Sequence, residues 1–153
     1  YVIDDVVAAA LGELERAGYA DEHRIVSALP PDLPLTLMDH EQIERVLLNL
    51  LENAIKYSPA QSVIRVEAWA TGAELVTRVS DQGMGIASGE LAAIFDRFYS
   101  ERPPGEKFGL HSGLGLSISK QIIDSHHGRI WAENRHDTAG RVIGARFTVQ
   151  LPA

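Results

Sequence analysis

Three short clusters constrain this chain more than its length or overall composition: Asn49-Leu-Leu-Glu-Asn53-Ala-Ile-Lys56-Tyr57, then Asp81-Gln-Gly83-Met-Gly85, then Gly113-Leu-Gly115-Leu116. Each breaks a local structural rule, so the elements that carry them have to be built around the exception. From Asp39 to Tyr57 the apolar residues Ile43, Val46, Leu47, Leu50, Leu51 and Ala54 recur at three and four positions, which is one face of an amphipathic helix. Asp39 is placed to be its N-cap, with Gln42 three positions on as in a capping box. At about 100° per residue, Arg45, Asn49, Glu52, Asn53 and Lys56 share roughly one quadrant opposite the apolar stripe. Two asparagines one turn apart need a reason, because their amides compete for backbone hydrogen bonds.

Residues 63 to 70 and 75 to 80 are rich in Val and Ile with partial alternation, and Thr71-Gly72 separates them, so they are expected to pair as strands. Asp81 falls where the second strand ends, and the two glycines after it let backbone come close to a flat ligand. Gly113 and Gly115 precede Ile118, Ile122 and Ile123, which puts them at a helix start whose free N–H groups favour phosphate. Taken singly, the clusters also fit a solvated helix face, an Asp/Gly turn and a hinge before a packed helix. Their chemistry is complementary, however. Amide oxygens can hold a hydrated Mg²⁺, a carboxylate can accept from an adenine amino group, and a glycine-rich helix start can hold phosphates.

On these residues the chain resembles the ATP-binding catalytic domain of bacterial two-component sensor histidine kinases. Asn49 to Lys56 is similar to that family's N box, Asp81 to Gly85 to its first glycine box, Phe95-Asp-Arg-Phe98 to its F box, and Gly113 to Leu116 to its second glycine box. The resemblance runs from about Asp39 to Gly128. It implies one ATP-binding domain over residues 1 to 153, of α+β class: a two-layer sandwich of the Bergerat type, with a mixed sheet, helices on one face and a flexible ATP lid at about 96 to 112. It further implies ATP or ADP and Mg²⁺ held by Asn49, Asn53, Lys56, Tyr57, Asp81, Gly83, Gly85, Ile86, Phe95, Phe98, Gly113, Leu114, Gly115 and Leu116. Asn53 would be the metal ligand, and Asn49, Arg97 and Arg102 would serve the transfer step. The family pattern has a basic residue directly after the F-box aromatic pair, where this chain has Ser100, which leaves open whether Arg102 takes that role.

The relatives that hydrolyse ATP on this fold carry a water-activating glutamate four residues before the Mg²⁺-binding asparagine. Asn49 stands there, and an amide cannot accept a proton at neutral pH. The expectation is therefore a kinase that donates the γ-phosphoryl group to a histidine on a separate dimerisation domain, with a response regulator downstream. None of the six histidines here has the His-Glu-x-x-x-Pro context of an acceptor, so the acceptor and sensor domains are expected outside this chain. The rival readings are an ATP-hydrolysing conformational switch on the same fold and a nucleotide-binding module without transfer.

Other nucleotide folds do not fit. The three lysines, Lys56, Lys107 and Lys120, never precede Ser or Thr, which removes a Walker A loop, and neither glycine pair extends to G-x-G-x-x-G. A net charge of -7 argues against nucleic acid as a partner. The absence of cysteine removes disulfides and thiolate metal sites, and no apolar run reaches the roughly 18 residues of a membrane span. With the resemblance, this implies a cytoplasmic domain of an inner-membrane parent. Further expected elements are a helix over 4 to 17 ending at Gly18, strands at 24 to 29 and 35 to 38, and two more at 129 to 133 and 145 to 151. Among the histidines, His126-His127 is placed to meet the carbonyls of a helix end, and His23, His40, His111 and His136 read as surface or capping residues.

Overall fold

The expected stripe forms helix α2, His40–Tyr57, with Ile43, Val46, Leu47, Leu50, Leu51 and Ala54 all buried. The computed structural model describes residues 2–16, 23–30, 33–34, 36–86, 91, 93–95 and 115–152. At the start of α2 the Asp39 carboxylate accepts the Gln42 N–H at 3.1 Å, the expected N-cap. At its end Ser58 turns extended, as a residue before proline must. Each fully buried leucine of this face contributes about 1.5–3 kcal/mol by leaving water.

Two more helices flank α2. Helix α1, Ile3–Arg16, buries Ile3, Val6, Val7, Ala10 and Leu14, and α3, Gly115–Ser125, buries Ser117, Ser119 and Ile123. Helix α3 stops at His127, whose φ of 61° is left-handed, and the Gly128 N–H returns to the Ile123 carbonyl at 3.0 Å.

The strands are β1 Arg24–Ala28, β2 Val63–Thr71, β3 Glu74–Ser80, β4 Arg129–His136 and β5 Val142–Pro152. They form one sheet in the order β1-β2-β3-β5-β4, with β1 and β2 parallel and every other pair antiparallel. The expected mixed sheet is therefore present, and β4 and β5 run further than their apolar alternation suggested. The strand expected at 35 to 38 is not formed over 36 to 38. There Thr36 is buried, Leu37 is 97% exposed and Met38 is buried, so the side chains alternate as in a strand, but the segment makes no ladder with the sheet, whose edge is β1. The lid expectation at 96 to 112 lies outside the described residues, as does Gly18.

Strand parity divides the sheet. Ile64, Val66 and Ala68 of β2, Leu75 and Val79 of β3, Ile130 of β4, and Ala145, Phe147, Val149 and Leu151 of β5 point to the helices and join one core with them. The alternate positions carry arginines, glutamates and two tryptophans on the other face. Inner-face residues at one end of β3, β4 and β5 are Asp81, Asn134 and Ala145, and the candidate site grows from them.

Candidate functional site

Asp81 follows the last residue of β3 and is only 3% exposed. Its Oδ1 accepts two backbone N–H groups, from Gly83 at 2.9 Å and from Ala145 at 3.0 Å. Neither bond uses Oδ2. Burial pushes the Asp81 pKa above the ordinary carboxylate value, opposed by those two N–H donors and by the nearby Arg135 charge. A carboxyl group this buried is costly unless it accepts further hydrogen bonds, which suits it to receive a donor from a ligand.

The segment 81 to 86 is pinned from three sides. The Gln82 Oε1 takes the Val63 N–H at 2.7 Å. The Asn134 amide closes a two-way pair with Ile86, accepting its N–H at 2.7 Å and donating to its carbonyl at 2.6 Å. Arg135 donates to the Asp81 carbonyl. Glycine is required twice along this strap. A Cβ on Gly83 would stand 2.2 Å from the Tyr57 carbonyl oxygen, and Gly85 has φ 78° with Asn134 Oδ1 2.8 Å from where its Cβ would be. Gly144 of β5 lies equally close behind, since its Cβ would meet the Asp81 carbonyl at 2.0 Å. These glycines bring the end of α2, the strap and β5 together at backbone contact.

The polar quadrant of α2 is partly buried rather than solvated. Asn49 Nδ2 donates to the Gly115 carbonyl at 3.1 Å and to Ser119 Oγ at 3.2 Å, while Ser119 Oγ donates to the same carbonyl at 2.9 Å. The side chain thus ties α2 to the first turn of α3. Burial raises the Glu52 pKa. Lys56 and Tyr57 are partnered, with the ammonium 4.9 Å from the ring centre. The far end of the same seam is held by His126, whose Nδ1 donates to the Ile122 carbonyl at 2.8 Å and whose Nε2 accepts the Asp39 N–H at 3.0 Å. Its expected role at a helix end is the observed one. His23 is not a surface residue: it is buried and its Nε2 meets the Ser58 carbonyl at 3.3 Å, so of its two expected roles it takes capping.

Of the residues singled out from sequence, Asn49 and Gly115 are brought into contact, as are Asp81, Gly83 and the Tyr57 carbonyl. Asn53 lies half-buried on the same side of α2, and Ile86 and Leu116 pack their side chains against the core. Phe95 closes a short 3-10 turn, Ala93–Phe95, and meets the Phe147 ring edge-on at 6.2 Å, so it is a core residue under the site. Arg97, Phe98, Arg102, Gly113 and Leu114 lie outside the described residues. Sequence reading missed Gln82, Ser119, Asn134, Arg135 and Gly144. Asn134 had a usable signal, an amide at the inward parity of a strand after Ile130 and Ala132. Ser119 had none, since a serine on a helix is unremarkable until its neighbour is known.

Comparison with known proteins bears on this arrangement directly. Residues 38–153 match the family model described as histidine kinase-, DNA gyrase B-, and HSP90-like ATPase. The chain belongs to this ATPase family. Within it, the chain is similar to sensor proteins: it is 44% identical over 113 residues to sensor protein ChvG of Rhizobium meliloti strain 1021, covering 73% of this chain and 20% of that protein. Sensor protein KdpD of Escherichia coli K12 is 39% identical over 150 residues, 98% of this chain and 16% of that protein. The chain thus spans about a fifth or less of these curated relatives. The mycobacterial sensor histidine kinase MprB superposes with a TM-score of 0.83 at 26% identity, covering 99% of this chain and 95% of the MprB chain. The relatives of this ATPase domain are sensor histidine kinases.

Proposed function

We propose that this domain binds ATP with Mg²⁺ between α2, the 81 to 86 strap and the start of α3, and donates the γ-phosphoryl group to a histidine on a separate dimerisation domain of its parent kinase. The observation that carries this reading is the buried Asp81 carboxylate, oriented by two backbone N–H groups and enclosed by glycines that tolerate no Cβ. Its acceptor capacity matches an adenine amino group, and the close backbone matches a flat ring. Asn53 offers Mg²⁺ a neutral oxygen, which fits an ion that keeps most of its water. ATP supplies the electrophilic phosphorus. Asn49 and Ser119 fix the start of α3, whose N–H groups face the phosphates, and Arg97 and Arg102 are assigned to the charge that develops on the transferred group.

Transfer is favoured over hydrolysis because Asn49, one turn before Asn53, is an amide already committed to α3 and has no basic atom to activate water. Glu52, whose pKa burial raises, is the carboxylate on this side that a hydrolytic reading would use. Among the described residues no helix is long and apolar enough to cross a membrane. We assign the domain to the cytoplasm, where ATP is available, with a membrane-bound parent and a response regulator as the next acceptor.

Labelled ATP, this domain and the parent's dimerisation hairpin are the test. Acid-labile label on the hairpin, lost with Asn53→Ala, is the expected result. An unlabelled hairpin with steady phosphate release that falls with Glu52→Gln would replace transfer by hydrolysis, and tight nucleotide binding with neither would leave a binding module.

A further inference from the structure

The open face of the sheet carries an arginine cluster of which only Arg135 also serves the candidate site, through its hydrogen bond to the Asp81 carbonyl. Parity places Arg65 of β2, Arg78 of β3, Arg146 of β5 and Arg135 of β4 on the side away from the helices. With Val63, Glu67, Ser80 and Gln82 they line a cleft of about 370 Å³. That is within the range of small-molecule sites, about 300–1,000 Å³.

The charges in this cleft do not balance. Among the described residues its one carboxylate, Glu67, is shared between Arg65 and Arg78 at 3.4 Å from each. Arg146 pairs with Glu133 at 3.1 Å beyond the lining, and Arg135 gives its hydrogen bond to a neutral acceptor, the Asp81 carbonyl. Among the described residues four guanidinium groups therefore face two carboxylates, in a chain whose net charge is -7. Arg78 also stacks 4.8 Å from the Trp69 ring centre, yet its buried Nε–H has no acceptor. Cross-strand pairing alone would match arginine with glutamate across the sheet. Here the excess is cationic, concave and made of the side chain best suited to forked contact with phosphate or carboxylate.

We propose that this cleft is a second ligand site, separate from the nucleotide site, for a small molecule bearing two anionic groups of phosphate or carboxylate type. Two neighbouring arginines grip one group each, and Glu67 is released from its double pairing to orient the rest.

Calorimetric titration of the chain with pyrophosphate, and separately with citrate, without Mg²⁺ and at low salt, tests the proposal. One saturable site that survives saturation with ADP is expected for at least one probe, and the probe that binds more tightly names the anion class. Arg146→Gln and Arg65→Gln should each weaken binding tenfold or more, while Arg16→Gln, exposed at the end of α1, leaves it unchanged. Arg65 is half-exposed, so its variant decides the matter if Arg146→Gln lowers the unfolding temperature. Absence of saturable binding by both probes, loss of binding on adding ADP, or equal weakening by Arg16→Gln would overturn the proposal.

Discussion

The strap after β3 and the start of α3 each carry glycine next to the polar face of α2, and the two glycine sets are there for different reasons. Gly83 and Gly85 are demanded by the fold: one faces the Tyr57 carbonyl at a distance no side chain survives, the other has a left-handed backbone. At Gly115 the nearest atom to an added Cβ among the described residues is Asn49 Cγ at 3.6 Å, an ordinary contact, on a residue that already lies in a helix. The glycines of the strap can be explained by packing without any ligand. Packing makes no such demand at Gly115, where the proposed phosphate contact would account for a residue without a side chain.

Substitutions should separate the two sets, beginning with the largest effect. Gly83→Ala must push the strap off the end of α2 and should destabilise the chain by about 3 kcal/mol, an overpacking cost read by urea unfolding. If Gly83→Ala unfolds like wild type, the distinction between the glycines fails. Asn134→Ala leaves the Ile86 N–H and carbonyl without their side-chain partner, and a loss of about 2 kcal/mol is expected, together with weaker ADP binding as the strap loosens.

Asp81→Asn separates holding the strap from meeting the ligand, since the amide oxygen can still accept from Gly83 and Ala145. ADP affinity should fall about tenfold or more while the fold persists. The pH dependence has a definite sign. Asp81 has a folded pKa above its unfolded value, so it binds more protons when folded. Its contribution to stability is full at low pH and is lost as pH rises from about 4 through the folded pKa. Unfolding measured from pH 4 to pH 8 should therefore show Asp81→Asn gaining on wild type until the pH passes the folded pKa of Asp81. Glu52, shifted in the same direction, and Asp137, lowered chiefly by hydrogen bonds from its own turn, cancel in that difference. The smallest effect on stability belongs to Gly115→Ala, within about 1 kcal/mol of wild type or above it. Its ATP affinity, measured by the same calorimetry, should nevertheless drop, and unchanged affinity would return Gly115 to a mere helix start.

How far the sequence was legible follows from the range of the interactions involved. Helix α2 could be read with its N-cap, because the stripe and the Asp39–Gln42 pair are local and each reports on the next turn. The strands β2 and β3 were equally open to reading, since two Val-rich runs separated only by a turn at Thr71-Gly72 fold back on each other. The 35 to 38 segment looked like a strand by composition, but a strand exists only where a neighbour offers hydrogen bonds, and that is not a local property. The inner parts of β4 and β5 were found from apolar alternation, and their polar ends were not, because Asn134 and Arg135 are held by residues some fifty positions away.

By itself, the sequence determined most of the order of elements, the buried face of α2, and the donor types at Asn49, Asn53 and Asp81, because periodicity, caps and donor type are written within a few residues. Only the tertiary structure decided that Asn49 is committed to Ser119 and Gly115, that Asn134 and Arg135 hold the strap, that Phe95 is core, and that four arginines on three antiparallel strands and β2 share one cleft. Those outcomes depend on register and on backbone contact between distant segments, and a shift of one residue in a strand would turn its side chains, Asn134 or an arginine of the cleft among them, to the opposite face.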